Sequence, residues 1–358
     1  MATFGSTSAP SNNVEYFDAL FTLSLANYQK EMIDNISSSN PFLKKIKESD
    51  MYRAKEGGKF LTIPLMYALG EADSYDGYDE LSTVPMDGIT EAVYEWRQLA
   101  IPIVYSMKEV IQNRNGIKDL VRAKLLQAEM GFQESWIKHF LQGNGTGYLS
   151  TAHTSVTNGS LSINPIAHLI QDDPTASVVV GNINQSTSSW WQNQNKDSTA
   201  TTLTGLLNEF DAMYNKLALG VGGAPNLIIV DPTTSELIVQ ALYLKYQQVG
   251  SDNLFPFENT KFKKAIIVSD DKVPDYYNNT ANYTTNGTAI FLNTKFFEVD
   301  YIKDRNFSML TDENGKTFQK PINGDSRVGH MAWMGQVLCS NRKKQGVLAK
   351  IARTLTAS

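Results

Sequence analysis

Two proline-interrupted extended runs, followed at once by the signal of a very long helix, restrict the fold of this chain more than any other feature. Residues 59–69 (KFLTIPLMYAL) and 91–105 (EAVYEWRQLAIPIVY) read as strands, and residues 70–90 between them are rich in Gly, Asp and Tyr. Pro64 and Pro102 sit inside these runs. Proline cannot donate to a strand ladder and is tolerated mainly at edges or bulges. We therefore expect a long hairpin. An isolated two-stranded hairpin is marginal in water, so this one should rest on another surface, which points to an obligate assembly.

Directly after the hairpin, Ser106 and Glu109 have the Ser-x-x-Glu spacing of a capping box. Ile117, Leu120, Val121, Leu125, Ala128, Phe132, Trp136 and Phe140 continue one apolar stripe until the glycines at 143 and 145, with residues 113–116 (NRNG) as a candidate interruption. A helix over 106–142 far exceeds the usual length of about 11–12 residues. It suits a strut better than a compact core.

Upstream, Val14, Phe17, Leu20, Phe21, Leu25 and Tyr28 predict an amphipathic helix within 14–36. A basic patch follows: Lys44, Lys45, Lys47, Arg53, Lys55 and Lys59. Downstream, Leu203, Leu206, Leu207, Phe210, Met213, Tyr214 and Leu217 step at helical spacing, and Gly220 closes that helix. The run 227–230 (LIIV) is continuously apolar, as a strand covered on both faces would be. A second helix should begin at Asp231, with Thr233 and Glu236 as its capping box. Runs at 265–268 and 289–292 complete an α/β region over 202–325. In the last segment, 328–352, Met331, Trp333, Val337 and Cys339 share one strand parity.

Composition narrows the function classes. A chain of 358 residues has room for roughly two domains. The single cysteine, Cys339, excludes an intrachain disulfide or a cysteine-based zinc cluster and reads as a core thiol from a reducing compartment. Net charge is −5 and the 32 Lys and Arg are spread thinly, so no footprint for tight nucleic-acid binding is expected. Neither a secretion signal nor a membrane-length apolar run is visible. The four histidines, His139, His153, His168 and His330, lack metal-ligand spacing and read as core or surface residues. Gly315-Lys316-Thr317 resembles the end of a phosphate loop, but Leu310 stands where that loop needs glycine. No catalytic residue, cofactor or metal is expected.

Two stretches stand out instead. The acidic loop carries Glu71, Asp73, Asp76, Asp79 and Glu80 with no Lys or Arg among them. It is not a calcium loop, because aligning Gly77 with that motif's glycine puts Ala72 and Thr83 at the terminal ligand positions. It is either a solvated tip or a docking strip for basic residues of a neighbouring copy: Lys44, Lys45 and Lys47, or Arg342, Lys343 and Lys344. With Trp96, these acidic residues are the candidate inter-subunit contacts of the hairpin. The second stretch is SSWWQNQN, which sets Trp190 and Trp191 among small polar residues. Large indoles in a polar setting suggest a turn pinned onto something else.

The segment GNINQSTSSWWQNQ resembles a recurring pattern of the major capsid proteins of tailed bacteriophages. WMGQVLCSNRKKQGVLAKI resembles their closing pattern, and IFLNTKFFEVDYI falls between the two in the right order. The resemblance implies an α+β, Hong Kong phage-type fold. Its parts would be an N-terminal arm (1–55), an extended β-hairpin loop (56–105) and a peripheral domain with the long spine helix (106–201). An α/β axial domain (202–327) and a C-terminal return to the peripheral domain (328–358) would follow. It also implies a hairpin lying across an adjacent subunit, and Trp190 and Trp191 anchoring the junction of peripheral and axial domains.

The expected function is structural: a major capsid protein that self-assembles into pentamers and hexamers of an icosahedral head enclosing double-stranded DNA. Its place would be the virion, after assembly in the host bacterial cytoplasm. Expected partners are further copies of itself, a separate scaffolding protein, a portal and decoration proteins, with no membrane. A mildly acidic subunit suits a container whose DNA must slide. Two alternatives stay open: the shell of a cellular nanocompartment with the same fold, and an α/β enzyme domain.

Overall fold

The computed structural model describes residues 51–68, 74, 76–78, 87–112, 117–143, 163–220, 222–247, 261–273, 286–312 and 315–357. Within these, the chain forms two compact units. One comprises Leu99–Trp136 and Ile302–Met334; the other comprises Lys45–Gln98, Ile137–Tyr301 and Gly335–Ser358. The predicted N-terminal helix and the segment 113–116 lie outside the described residues.

In the first unit the predicted capping box forms. The Ser106 amide donates to Glu109 Oε2 at 3.1 Å, and the Glu109 amide donates to Ser106 Oγ at 3.2 Å. This starts the helix Met107–Gln112, and a second helix runs over Ile117–Leu141. Lys124 of the second helix donates to Glu109 at 2.8 Å and to the Val104 carbonyl at 2.9 Å. The unit's core is aromatic: Trp136 meets Trp333 edge-on, Phe132 meets Phe307, and Tyr105 meets Phe318.

The second extended run is not a single hairpin arm. The hairpin consists of Leu61–Met66 paired with Ile89–Tyr94, and the chain then restarts as the strand Arg97–Ser106, which pairs with Ser326–Cys339. The break falls at Trp96, whose indole N–H donates to the Gly58 carbonyl at 2.9 Å and so turns the chain out of the ladder. Pro64 lies in a two-stranded ladder, where a missing donor costs little.

The second unit is built on a six-stranded sheet in the order Gln194–Asp197, Gly346–Ile351, Gly287–Leu292, Leu227–Val230, Ala265–Ser269, Lys261–Phe262. Leu227–Val230 pairs parallel with one neighbour and antiparallel with the other, and all four of its residues are buried, as the unbroken apolar run predicts. The helices Leu203–Ala218 and Pro232–Gln247 supply its core with Leu206, Phe210, Met213, Leu217 and Ile238. Thr202 caps the first by accepting from the Gly205 amide at 3.1 Å. The second is capped by Asp231, which accepts from the Thr234 amide at 3.0 Å, so the expected Thr233–Glu236 box does not set its start. Pro232 is the reason: it fills the first helical position, where its missing N–H is not needed, and this leaves Asp231 as the cap.

Two expected boundaries also shift. Residues 346–351 do not leave the α/β region; they occupy an inner place of its sheet, antiparallel to Gly287–Leu292 and parallel to Gln194–Asp197. GVLAKI is nearly all buried, and a run apolar on both faces is satisfied inside a covered sheet. Residues 194–197, expected outside this region, form the edge strand beside it. Met331, Trp333, Val337 and Cys339 are each fully buried, but Ala332, Gln336 and Leu338 of the opposite parity are buried too, so this end of the strand is covered on both faces instead of showing one parity.

Candidate functional site

The second unit carries a polar cluster that supports the hairpin. It begins with a small β-turn ladder, Val179–Val180 against Ile183–Asn184, closed by Gly181 and Asn182. Both turn residues have positive φ, 61° and 62°, the backbone of a tight two-residue hairpin turn. The Gly181 carbonyl accepts from the Val93 amide at 3.0 Å. A side chain at 181 would lie 3.0 Å from both the Ala92 Cβ and the Tyr94 ring, so glycine lets the hairpin approach this turn.

The hairpin therefore rests by one face on its own subunit. Leu61, Leu65, Ala92 and Tyr94 are buried, while strand alternation turns Pro64, Met66, Ile89 and Glu91 outward. Met66 and Ile89 are directly opposed in the ladder and are 69% and 70% exposed. Tyr94 Oη donates to the Cys339 carbonyl at 3.2 Å, and Gln336 Nε2 donates to the Glu95 carbonyl at 2.9 Å. Burial raises the Tyr94 phenol above its ordinary value and pushes the Cys339 thiol up to about 12, so neither ionises near neutral pH. That agrees with a core thiol.

The two tryptophans divide their work. Trp191 is buried, and its indole N–H donates to the Val180 carbonyl at 2.9 Å. Trp190 is half-buried and stacks on Tyr67 of the hairpin, with centroids 5.1 Å apart and planes at 22°. Tyr67 is tied to the opposite side of the hairpin by its amide to the Gly88 carbonyl and its hydroxyl to the Asp87 carbonyl.

Arg342 closes the cluster and is fully buried. Its guanidinium donates to the Leu169 carbonyl at 2.7 Å, the Trp191 carbonyl at 3.1 Å, Gln185 Oε1 at 2.9 Å and Asn193 Oδ1 at 3.3 Å. These acceptors are all neutral. Burial lowers the Arg342 pKa to about 10, which still leaves it charged at neutral pH. Gln185 in turn donates to Gln171 Oε1 at 2.8 Å, and Asn193 donates to the Gln171 carbonyl at 2.6 Å.

The expected docking strip at 342–344 is corrected by these contacts. Arg342 and Lys344 are buried, and only Lys343 of the three is exposed. Lys344 Nζ donates to the carbonyls of Leu217, Leu219 and Gly220, closing the end of the helix Leu203–Ala218. Buried carbonyls need donors, and these two cations supply them. In the other basic patch, Arg53 pairs with Glu298 at 2.9 Å and Lys55 with Asp300 at 3.6 Å, so both serve their own chain. Lys44, Lys45, Lys47, Glu71, Asp73, Asp79 and Glu80 lie outside the described residues. Asp76 is exposed and accepts from the Gly77 amide at 2.8 Å.

Gln171, Gln185, Asn193, Gln336, Tyr67 and Tyr94 were not legible as site residues. The amides flanking the tryptophans are the available signal, but composition alone cannot distinguish a buried glutamine from one in a solvated turn. Among the described residues, no group of three or more His, Cys, Asp or Glu could hold a metal ion, and no helix is long and apolar enough to cross a membrane.

Neither a protein-family model nor a curated protein matches the sequence. Solved structures do match. The Cyanophage A-1(L) capsid asymmetric unit aligns with a TM-score of 0.59 at 14% identity, covering 88% of this chain and 94% of that one. The SrpI encapsulin complex of Synechococcus elongatus aligns at 0.53 and 10% identity, covering 90% and 91%. The capsid of a native GTA particle aligns at 0.51 and 9% identity, covering 86% and 89%.

Proposed function

We propose that this chain, which has the α+β Hong Kong phage-type major capsid fold, is the building block of a closed protein shell and serves as the major capsid protein of a phage head. The observation that carries this reading is the near end-to-end likeness to the Cyanophage A-1(L) capsid subunit. The exposed face of the hairpin supports it. Burying Met66 and Ile89 against another copy would contribute roughly 1.5–3 kcal/mol each, and a shell repeats that contact at every subunit.

The mechanism is geometric. The hairpin presents its outer face to a neighbour, and the α/β sheet region meets its counterparts around the axes of pentamers and hexamers. Residues 1–55 act as an arm, 56–105 as the clasping loop, 106–193 as the peripheral domain, and 202–327 as the axial domain together with the strands Gln194–Asp197 and Gly346–Ile351 of its sheet. The shell encloses double-stranded DNA without gripping it, in keeping with a net charge of −5. A separate scaffolding protein, a portal and decoration proteins complete the head, which assembles in the host bacterial cytoplasm.

The likeness to the SrpI encapsulin complex favours a second reading, a cellular nanocompartment shell. Light scattering and electron microscopy of the purified protein test the shared element: closed particles of megadalton mass support a shell, and a monomer under all conditions removes it. Absorbance at 260 nm of native particles then separates a DNA-filled head from a protein-filled compartment. Met66→Asp with Ile89→Asp should leave a folded subunit that no longer assembles; normal shells from that variant would exclude this face as the contact.

A further inference from the structure

We infer that the stack of Tyr67 on Trp190 is a latch that fixes the angle of the hairpin on the subunit, so that its apolar outer face is held ready for a second copy. The hairpin rests on the body along the buried residues Leu61, Leu65, Ala92 and Tyr94, and directional contacts hold it at two levels. Near its base lie the Val93 amide on the Gly181 carbonyl, Tyr94 Oη on the Cys339 carbonyl and Gln336 on the Glu95 carbonyl. At the far end of the ladder, beyond Met66, lies the Tyr67–Trp190 stack.

The two levels differ in strength. The base bonds are built around side chains that are almost fully buried, Tyr94 and Gln336 at 2% and 1% exposure. The stack is between partly exposed rings, and Tyr67 keeps 37% of its surface in solvent. With the stack open, the far end keeps only the non-directional apolar contact of Leu65 among the contacts described, so its angle is no longer fixed; with the stack closed, it stays registered.

Each ring is also rigid on its own side. Trp190 sits in the turn Ser189–Trp191, whose last residue, Trp191, is fixed by Val180 and Arg342. Tyr67 is bound across the hairpin to Asp87 and Gly88. The stack thus joins two stiff pieces, and Met66, adjacent to Tyr67 and opposite Ile89, takes its direction from it. This explains the adjacent tryptophans: Trp191 is a structural anchor and Trp190 is a positioning residue. The benefit of preorganisation rests on the shell reading; the latch itself does not.

Distances between spin labels on Ile89→Cys and Ser186→Cys in the unassembled subunit test the latch without any shell, because both sites are exposed and the native Cys339 is buried. The native rings should give one narrow distance distribution. Tyr67→Ala and Trp190→Ala should each raise the population outside it by roughly threefold to tenfold, the range to which ring-stacking energies convert. The Val93 amide should keep its protection from hydrogen exchange, the double variant should add nothing, and Trp190→Phe should retain most of the effect of the native ring. An unchanged distribution, additive effects of the two variants, or lost protection at Val93 would overturn the latch. If Trp190→Ala fails to fold, the Tyr67→Ala and Trp190→Phe pair decides the matter alone. In light scattering, the alanine variants without labels should assemble more slowly into shells of ordinary size. Native rings that give the narrow distribution in a protein that forms no shell would refute the shell reading and leave the latch standing.

Discussion

The guanidinium of Arg342 lies 5.8 Å from the centroid of the Trp191 ring and also donates to the carbonyl of that same residue. One side chain from near the C-terminus thereby holds both the ring and the backbone of the tryptophan turn. Its planar fork serves acceptors from Leu169, Trp191, Gln185 and Asn193 at once, which a lysine ammonium cannot do. Each buried acceptor left unpaired costs about 1–3 kcal/mol. Arg342→Met should therefore lower stability by about 4 kcal/mol or more, and Arg342→Lys should recover less than half of the loss, read from chemical denaturation with tryptophan fluorescence.

Gly181 is a point of close approach between the hairpin and the body. Its φ of 61° is unfavourable for side chains, and a Cβ there meets Ala92 and Tyr94 at 3.0 Å. Gly181→Ala should cost about 1–3 kcal/mol. Asn182→Gly, at φ 62°, should stay within about 0.5 kcal/mol of the native protein, because only the conformational preference changes there. Equal losses in the two variants would mean that the turn, and not the hairpin contact, sets the penalty.

Lys124 donates to Glu109, and this bond first, then the Ser106 amide, holds the Glu109 carboxyl below its usual value. A depressed carboxylate contributes stability above its unfolded pKa and loses it as the pH falls through the folded one. Native protein should therefore exceed Glu109→Gln in melting temperature most clearly near neutral pH. The gap should be modest, since the pair is partly exposed, and should close below the usual glutamate value of 4.5. Thermal melts across that range, with the far-UV signal followed, check this; a gap independent of pH would assign the effect to the capping bonds alone.

Lys344 closes the carbonyl end of the helix Leu203–Ala218 from a buried position. Lys344→Met keeps the stem and removes the donors, so it should cost about 1–3 kcal/mol. Lys343→Met, one residue away and exposed, should change stability by less than about 0.5 kcal/mol. A parallel loss in both would contradict the capping role.

Local chemistry explains which parts of the fold were readable beforehand. The Ser106–Glu109 box formed as its spacing predicts because both partners lie within one turn of chain. Leu227–Val230 announced a doubly covered strand by carrying no polar residue. The Thr233–Glu236 pattern misled for an equally local reason, since Pro232 already sets the first helical position and Asp231 caps it. The proline-marked hairpin was visible, but its restart at Arg97 was not, because the bond from Trp96 to Gly58 spans 38 residues.

By itself, the sequence determined the helix start at Ser106, the stripe of the helix Leu203–Ala218, the apolar strands, the hairpin and the resemblance to a capsid subunit, all of which rest on patterns a few residues long. Only the tertiary structure decided what the charges and amides do. Arg342 and Lys344 read as a surface strip because cations are usually solvated, yet each lies buried among carbonyls contributed by residues more than 100 positions away. Trp190 and Trp191 are neighbours in the chain, but one is fixed by Val180 and Arg342 and the other by Tyr67. Hydrogen-bond demand inside a packed unit is met by whichever donor the fold brings near, and that proximity exists only once distant segments have come together.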